Sequence, residues 1–286
     1  MAATLYLLAV SLPGPPPDEL RATLAEHVSW GWEELEEDGL SGLRIYCSGL
    51  EQAEALSARI AAAFPGFEVG ITKQDDRDWA ESWRSFFQPI RIADTFCVVP
   101  SWEEPSAAEA DMVRIAIYPQ MAFGTGHHPT THLCLEVLAE LWAKGSLGSE
   151  QQCLDLGTGS GILGIAASFL GLRTVGLDTD PVAVDNAKLN RGLNRAGSNF
   201  ALIVGGVECL QTHLRFDLVV ANILAEPLKG LAGEIVARLA PRGRLLLSGI
   251  LGSQEQEVAK AYAEQGLGEP GVFRRQDWSA LLWQIA

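Results

Sequence analysis

The stretch that most constrains this chain is CLDLGTGSGILGIA, Cys153 to Ala166. An apolar run ends at Asp155, opens into Gly157, Gly159 and Gly161, and resumes as an apolar run with helical spacing. That order reads as strand, tight turn, helix. A dinucleotide fingerprint counted from Gly157 needs glycine at 162, and the chain has Ile162 there, so the cradle for a pyrophosphate is incomplete. Either the glycines form only a sharp turn, or they border a ligand with a ribose and a charged amino-acid part but no phosphate.

The surrounding pattern favours a ligand. TVGLDTD, ALIVGG, DLVVANI and RLLLSGI read as strands. PVAVDNAKLNRGLNRAG reads as a helix opened by Pro181 and closed at Gly197, GEIVARLAPRG as a helix ended by Pro241 and Gly243, and Gln254–Gln265 as another. Repeated strand–helix units predict an α/β fold, a mostly parallel sheet covered on both faces, with an antiparallel pair at the end of the chain. Ligands in such sheets sit beyond the carboxyl ends of the strands, where strand order reverses.

The first quarter of the chain reads differently. A strand over residues 4–10 and a Pro-rich turn lead to Asp18 as the N-cap of a helix running to about Trp30. Short strands follow near Gly31–Glu36 and Leu43–Cys47, then a helix over Glu51–Phe64 and the strand FEVGITK. The order β-α-β-β-α-β predicts a small ferredoxin-like α+β domain over residues 1–74. In DDRDWAESWRSFFQPIRI the rings of Trp79, Trp83, Phe86 and Phe87 recur at helical spacing until Pro89. We read 75–89 as an aromatic-rich linker helix whose rings serve packing, and 90–286 as the second domain. Phe96–Pro100 and Val113–Pro119 read as a pair of strands flanking an exposed acidic loop.

Composition narrows the partners. A net charge of -15 argues against a nucleic-acid backbone, which needs a basic surface. Residues 1–75 hold twelve acidic against four basic side chains, a net -8 that suits either a basic partner or simple solubility. No apolar run is long enough to cross a bilayer, and TLYLLAV lacks the preceding Lys or Arg of a signal peptide. We expect a cytoplasmic monomer. The five cysteines, Cys47, Cys97, Cys134, Cys153 and Cys209, form no C-x-x-C pair and read as reduced core thiols.

Three polar residues fall at strand ends. Asp178 is placed to accept hydrogen bonds from ribose hydroxyls; the alternative, a helix cap before Pro181, suits Asp180 better. Asp155 sits beneath the glycine turn, holding its amides or a ligand's ammonium. Asn222 either orients an amine or cofactor group, or caps the next helix. In the loop FGTGHHPTT, Phe123 to Thr131, the glycines let backbone lie against a ligand, while Thr130 or Thr131 caps the following helix or bonds the cofactor. His128 and His132 have i, i+4 spacing but lack the Glu of H-E-x-x-H and a third ligand, so no metal is expected. The cofactor that suits this set is S-adenosylmethionine.

AFGTG-x-H-x-TT, DLGTGSGIL, GLDTD and ANIL together resemble the bacterial ribosomal protein methyltransferase family that modifies large-subunit protein eleven, and DWAESWRSFFQPIRI and PSW resemble its linker region. The resemblance implies a class I, Rossmann-like methyltransferase domain with a mostly parallel seven-stranded sheet. It carries cofactor contacts onto Thr131, Gly157, Asp178 and Asn222. Beside these we place Phe123, Gly124, Asp155 and Gly159 at the cofactor and take Asn222 as the catalytic residue. Methylation of lysine ε-amines and an N-terminal α-amine is what the resemblance implies, as is recognition of the basic ribosomal protein by the first domain. Related enzymes acting on amide nitrogens carry Asn-Pro-Pro-Tyr where this chain has ANILAEPL, which favours an amine acceptor. The alternatives are a methyltransferase for another protein or a small-molecule amine, and a non-catalytic cofactor-binding module.

Overall fold

The computed structural model describes residues 5–28, 32–37, 40–47, 49–74, 87–106, 111–119, 124–197 and 199–285. The chain divides into two compact units, Met1–Gln88 and Pro89–Ala286. Trp79, Trp83 and Phe86 of the expected linker helix, and Phe123 of the expected cofactor loop, lie outside the described residues.

The first unit runs β1 (Leu5–Leu12), α1 (Asp18–His27), β2 (Glu33–Glu37), β3 (Leu40–Cys47), α2 (Leu50–Ala63), β4 (Glu68–Gln74). Its sheet has the order β2-β3-β1-β4 with every neighbouring pair antiparallel, as the β-α-β-β-α-β reading predicts. Alternation explains the core. Leu8, Val10 and Leu12 on β1 and Leu43, Ile45 and Cys47 on β3 point to one face, where Leu20 and Leu24 of α1 and Ala53, Leu56 and Ile60 of α2 cover them. Asp18 does not cap α1. Pro17 holds the N-cap position, and Asp18 inside the first turn pairs with Arg21, a use of the carboxylate that the helix dipole also favours. The helix ends at His27, short of Trp30.

The second unit opens with β5 (Ile90–Ile92), β6 (Phe96–Pro100) and β7 (Val113–Ile117), a three-stranded sheet in which β5 is an addition to the expected pair. After α3 (Pro129–Ala143) the strand–helix alternation begins: β8 (Gln152–Leu156), α4 (Ile162–Phe169), β9 (Arg173–Asp178), α5 (Pro181–Leu193), β10 (Phe200–Val204), β11 (Phe216–Asn222). Next come α6 (Ala225–Gly230), α7 (Ala232–Val236), β12 (Leu239–Leu251), α8 (Glu255–Ala263), β13 (Gly271–Arg275) and β14 (Trp278–Gln284). The seven-stranded sheet has the order β10-β9-β8-β11-β12-β14-β13. β10 through β12 are parallel and β14 is antiparallel to both its neighbours. Strand order reverses between β8 and β11.

Of the expected helix over GEIVARLAPRG only Gly233–Val236 is helical, in the short α7, and Pro241 and Gly243 lie inside β12. A side chain at 243 would meet the Ala240 carbonyl at 2.8 Å and that of Phe216 at 3.1 Å, so glycine is needed for backbones to pass there. Four cysteines are buried as expected; Cys209 is exposed.

Packing around the glycine stretch is close. The Phe200 ring of β10 lies over α4, where a Cβ at Gly164 would meet it at 2.3 Å. Replacing Gly164 with Ala should therefore lower thermal stability by about 1–3 kcal/mol, although alanine favours helix by about 1 kcal/mol. Adding Phe200→Leu should recover part of the loss in thermal denaturation. An additive double variant would contradict this packing.

Candidate active site

The glycine turn joins β8 to α4 at the point of strand reversal. Gly157, Gly159 and Gly161 have φ of 72°, 53° and 83°, backbone that side chains with a Cβ rarely adopt. Gly157 is also crowded, since a Cβ would lie 2.3 Å from Cγ2 of Ile223 at the end of β11. The turn's amides are engaged by the protein itself. Gly157 and Thr158 donate to the Leu177 carbonyl at 2.9 and 2.8 Å, Gly159 to Asp178 Oδ2 at 2.9 Å, and Gly161 to the Thr158 carbonyl at 2.8 Å. A pyrophosphate would need such donors free, so the geometry agrees with the exclusion drawn from Ile162.

Asp155 is buried under this turn. Its Oδ2 accepts from Thr158 Oγ1 at 2.6 Å and from the Gly164 amide at 2.9 Å, fastening β8, the turn and α4 together. Its Oδ1, equally buried, finds no partner among the described residues. Burial pushes the carboxyl up to about 6, against the two hydrogen bonds that favour its charged form, and the nearby Asp178 charge pushes the same way. Asp178 ends β9. Its Oδ2 holds the Gly159 amide and its Oδ1 the Asp180 amide at 3.0 Å, leaving lone pairs on both oxygens. Asp180 is the N-cap of α5, accepting from the Val182 amide at 2.8 Å.

Asn222 ends β11, the strand beside β8, and does not cap the helix that follows, whose N-cap is Leu224. Its Nδ2 donates to Thr131 Oγ1 at 3.2 Å, and its buried Oδ1 has no partner among the described residues. Thr131 and Asn222, 91 residues apart, thus meet. The cap of α3 is neither Thr130 nor Thr131 but His128, whose Nδ1 takes the Thr130 amide at 3.3 Å and lies 2.8 Å from Thr130 Oγ1. Burial pushes His128 down to about 4, so the ring is neutral at neutral pH and free to accept; it packs edge-on to Trp278 with centroids 4.9 Å apart. His132 pairs with Glu136 at 3.3 Å along α3. Both histidines are thereby occupied in ways unrelated to metal.

Several residues were not visible in the sequence as parts of this site. Ser160 Oγ donates to the Gly124 carbonyl at 2.5 Å, tying the loop before α3 to the glycine turn. Gly249 has φ of 85° inside β12, where a Cβ would meet the Ile223 carbonyl at 2.2 Å. A glycine inside an apolar strand run was the signal for that close approach.

A mostly parallel seven-stranded sheet closed by an antiparallel β14, with a glycine turn at the reversal point, is the fold of a class I methyltransferase. The family model described as Ribosomal protein L11 methyltransferase (PrmA) matches residues 32–285. The chain belongs to that family. Ribosomal protein L11 methyltransferases of Geobacter sulfurreducens and Desulforapulum autotrophicum are similar to it. The first is 43% identical over 82% of this chain and 76% of its own length; the second is 39% identical over 96% and 88%. A crystal structure of ribosomal protein L11 methylase from Lactobacillus delbrueckii subsp. bulgaricus superposes with a TM-score of 0.61 at 30% identity, covering 70% of this chain and all of that one.

A carboxyl that titrates near 6 when folded and near 3.9 when unfolded binds its proton more tightly in the folded state. Its stabilising effect is complete below about pH 4 and is lost as pH rises through about 6, a cost of roughly 3 kcal/mol at neutral pH. Asp155→Asn keeps the acceptor for Thr158 and Gly164. It should raise the melting temperature of the cofactor-free protein at pH 8 and flatten its dependence between pH 4 and 7, measured by calorimetry.

Proposed function

We propose that this chain transfers methyl groups from S-adenosylmethionine to lysine ε-amines and the N-terminal α-amine of ribosomal protein L11, acting in the cytoplasm as a monomer. The observation that carries the reading is the pair of buried oxygens without partners among the described residues, Asp155 Oδ1 and Asn222 Oδ1, on two strand ends either side of the reversal point. Buried acceptors left unpaired cost about 1–3 kcal/mol each, a cost relieved by a ligand that donates. With the spare lone pairs of Asp178 they make a site of acceptors whose turn amides are already used. A ligand whose ammonium meets Asp155 Oδ1 and whose two ribose hydroxyls meet Asp178, with no phosphate, matches that set and leaves Asn222 Oδ1 for the amine to be methylated.

When bound, S-adenosylmethionine supplies a methyl group on a cationic sulfur, open to in-line attack by a neutral amine. Asp155 Oδ1 would take the ligand's ammonium in a charge-assisted bond, Asp178 the ribose, and the Gly157–Gly159 backbone the flank between them. Asn222 acts on the acceptor. With Nδ2 held by Thr131, Oδ1 is fixed to accept an N–H of the incoming amine and turn its lone pair toward the methyl. A free lysine has a pKa of about 10.4 and an α-amine about 8, so the amine must reach the site neutral. Burial and the nearby positive charge both lower that pKa, and we infer that no dedicated base is needed. His128 is consistent with this, because its Nδ1 is committed to Thr130.

The net -8 of residues 1–75 suits a basic ribosomal protein as the partner of the first unit, through attraction that raises the encounter rate and is screened by salt.

Two measurements test the reading. Asn222→Ala should lower kcat on purified L11 by about 10²-fold with cofactor affinity changed far less; wild-type turnover would remove Asn222 from catalysis. Incubation of a ribosomal extract with radiolabelled cofactor should label L11 at lysines and the N-terminus. Label in another protein, with none in L11, would exclude the substrate assignment.

A further inference from the structure

Three asparagines stand on α5 and its C-cap at 186, 190 and 194, one helical face at i, i+4, i+8. Asn186 and Asn190 are buried, an unusual placement for amides unless they are fully used. Asn186 Oδ1 accepts from Asn190, and the side chains of Asn190 and Asn194 are used on backbone. Asn194 Oδ1 accepts the Ala116 amide at 2.8 Å and its Nδ2 donates to the Ala116 carbonyl at 2.6 Å. Asn190 Oδ1 accepts the Tyr118 amide at 2.8 Å. Ala116 lies on the outer edge of β7, the edge strand of the three-stranded sheet, and Tyr118 follows directly after it. Four residues of helix rise about 6 Å and two residues of strand about 6.7 Å, so successive asparagines match successive outward groups of a strand. The helix thus serves β7 as a neighbouring strand would.

Asn190 also reaches the glycine turn. Its Nδ2 donates to the Ser160 carbonyl at 2.8 Å and to Asn186 Oδ1 at 3.2 Å. Ser160 in turn holds the Gly124 carbonyl through Oγ at 2.5 Å. Two bordering segments of the site, the turn at 157–161 and the loop at Gly124, are therefore joined to each other and to Tyr118 after β7 through Asn190 and Ser160. Neither side chain is among the acceptors assigned to the ligand.

We propose that Asn190 is a positioning residue that acts through Ser160 to hold the loop at Gly124 against the glycine turn, and so sets cofactor affinity. The inference rests on the reading of this crevice as the S-adenosylmethionine site. Asn190→Asp keeps the acceptor for Tyr118 but sets a carboxylate oxygen against the Ser160 carbonyl and Asn186 Oδ1, where Asn190 had a donor. Ser160→Ala cuts only the link to Gly124 and leaves the backbone carbonyl in place.

The test is calorimetric titration of full-length wild type, both single variants and the double variant with S-adenosylhomocysteine, which binds without turnover, alongside melting temperatures and kinetics on L11. Val258→Ala, in the core under α8, serves as a control for loss of stability alone. Each single variant should weaken binding about tenfold, and the double variant little more than the weaker binder of the two, because both cut one chain of contacts. The KM for cofactor should rise in step while kcat at saturation stays within about twofold. Val258→Ala should lower the melting temperature without moving the dissociation constant. If Asn190→Asp fails to fold, Asn190→Ser, which removes the donor to the Ser160 carbonyl without adding a charge, takes its place with the same expected loss. Wild-type affinity in the folded variants, or an equal loss in Val258→Ala, would overturn the inference. Wild type that binds neither S-adenosylhomocysteine nor S-adenosylmethionine would overturn the reading of the site beneath it.

Discussion

The carboxyl of Asp155 is the contact on which this site depends. One oxygen fastens strand, turn and helix by taking the Thr158 hydroxyl and the Gly164 amide. The other is buried beside the crevice with nothing described to bond it. A group that both organises the turn and is left half-satisfied makes the cofactor-free fold less stable than it could be at neutral pH, and a donating ligand removes that penalty. The glycines belong to the same turn. With Leu177 and Asp178 taking the turn amides, the backbone passes through left-handed φ at 157, 159 and 161, and Phe200 fills the space beside Gly161 and Gly164.

The polar residues around the crevice divide by what they face. In the proposed reading of the site, Asp155, Asp178 and Asn222 present acceptors toward a ligand. Ser160, Thr131, Asn190 and Asn194 face inward, each using its side chain to hold another part of the site. His128 belongs with the second group, because burial keeps its ring neutral and lets Nδ1 accept the Thr130 amide. The first group sets what can bind. The second sets how rigidly it is presented, which matters for a displacement that depends on alignment more than on acid–base help.

Much of the architecture was legible in the sequence. The β-α-β-β-α-β order of the first unit, the parallel strands after Cys153, the antiparallel pair at the end and Asp180 as the cap of α5 all follow from periodicity and from Pro and Gly positions. The misreadings share a cause. Asp18 was expected to cap α1, Thr130 or Thr131 to cap α3, and Pro241 and Gly243 to end a helix, all on local rules. Other neighbours decided otherwise: Arg21, one turn on, takes Asp18, the ring of His128, two residues before Thr130, takes the cap, and at residues 239–243 a tertiary neighbour, the backbone of Phe216, brings the segment into the sheet.

By itself the sequence determined most of the strands, turns and helices, residues 239–243 and β5 excepted, and which residue types end the central strands, because those depend on spacing along the chain. It determined the exclusion of a dinucleotide, since one missing glycine suffices. Only the tertiary structure decided that Thr131 meets Asn222, that Asn190 and Ser160 link the loop at Gly124 to the glycine turn, and that one oxygen each of Asp155 and Asn222 is left without a partner. Those are contacts between residues 30 to 91 positions apart, or vacancies in them. No periodicity encodes such pairs; they exist only once the sheet has set the strand ends side by side.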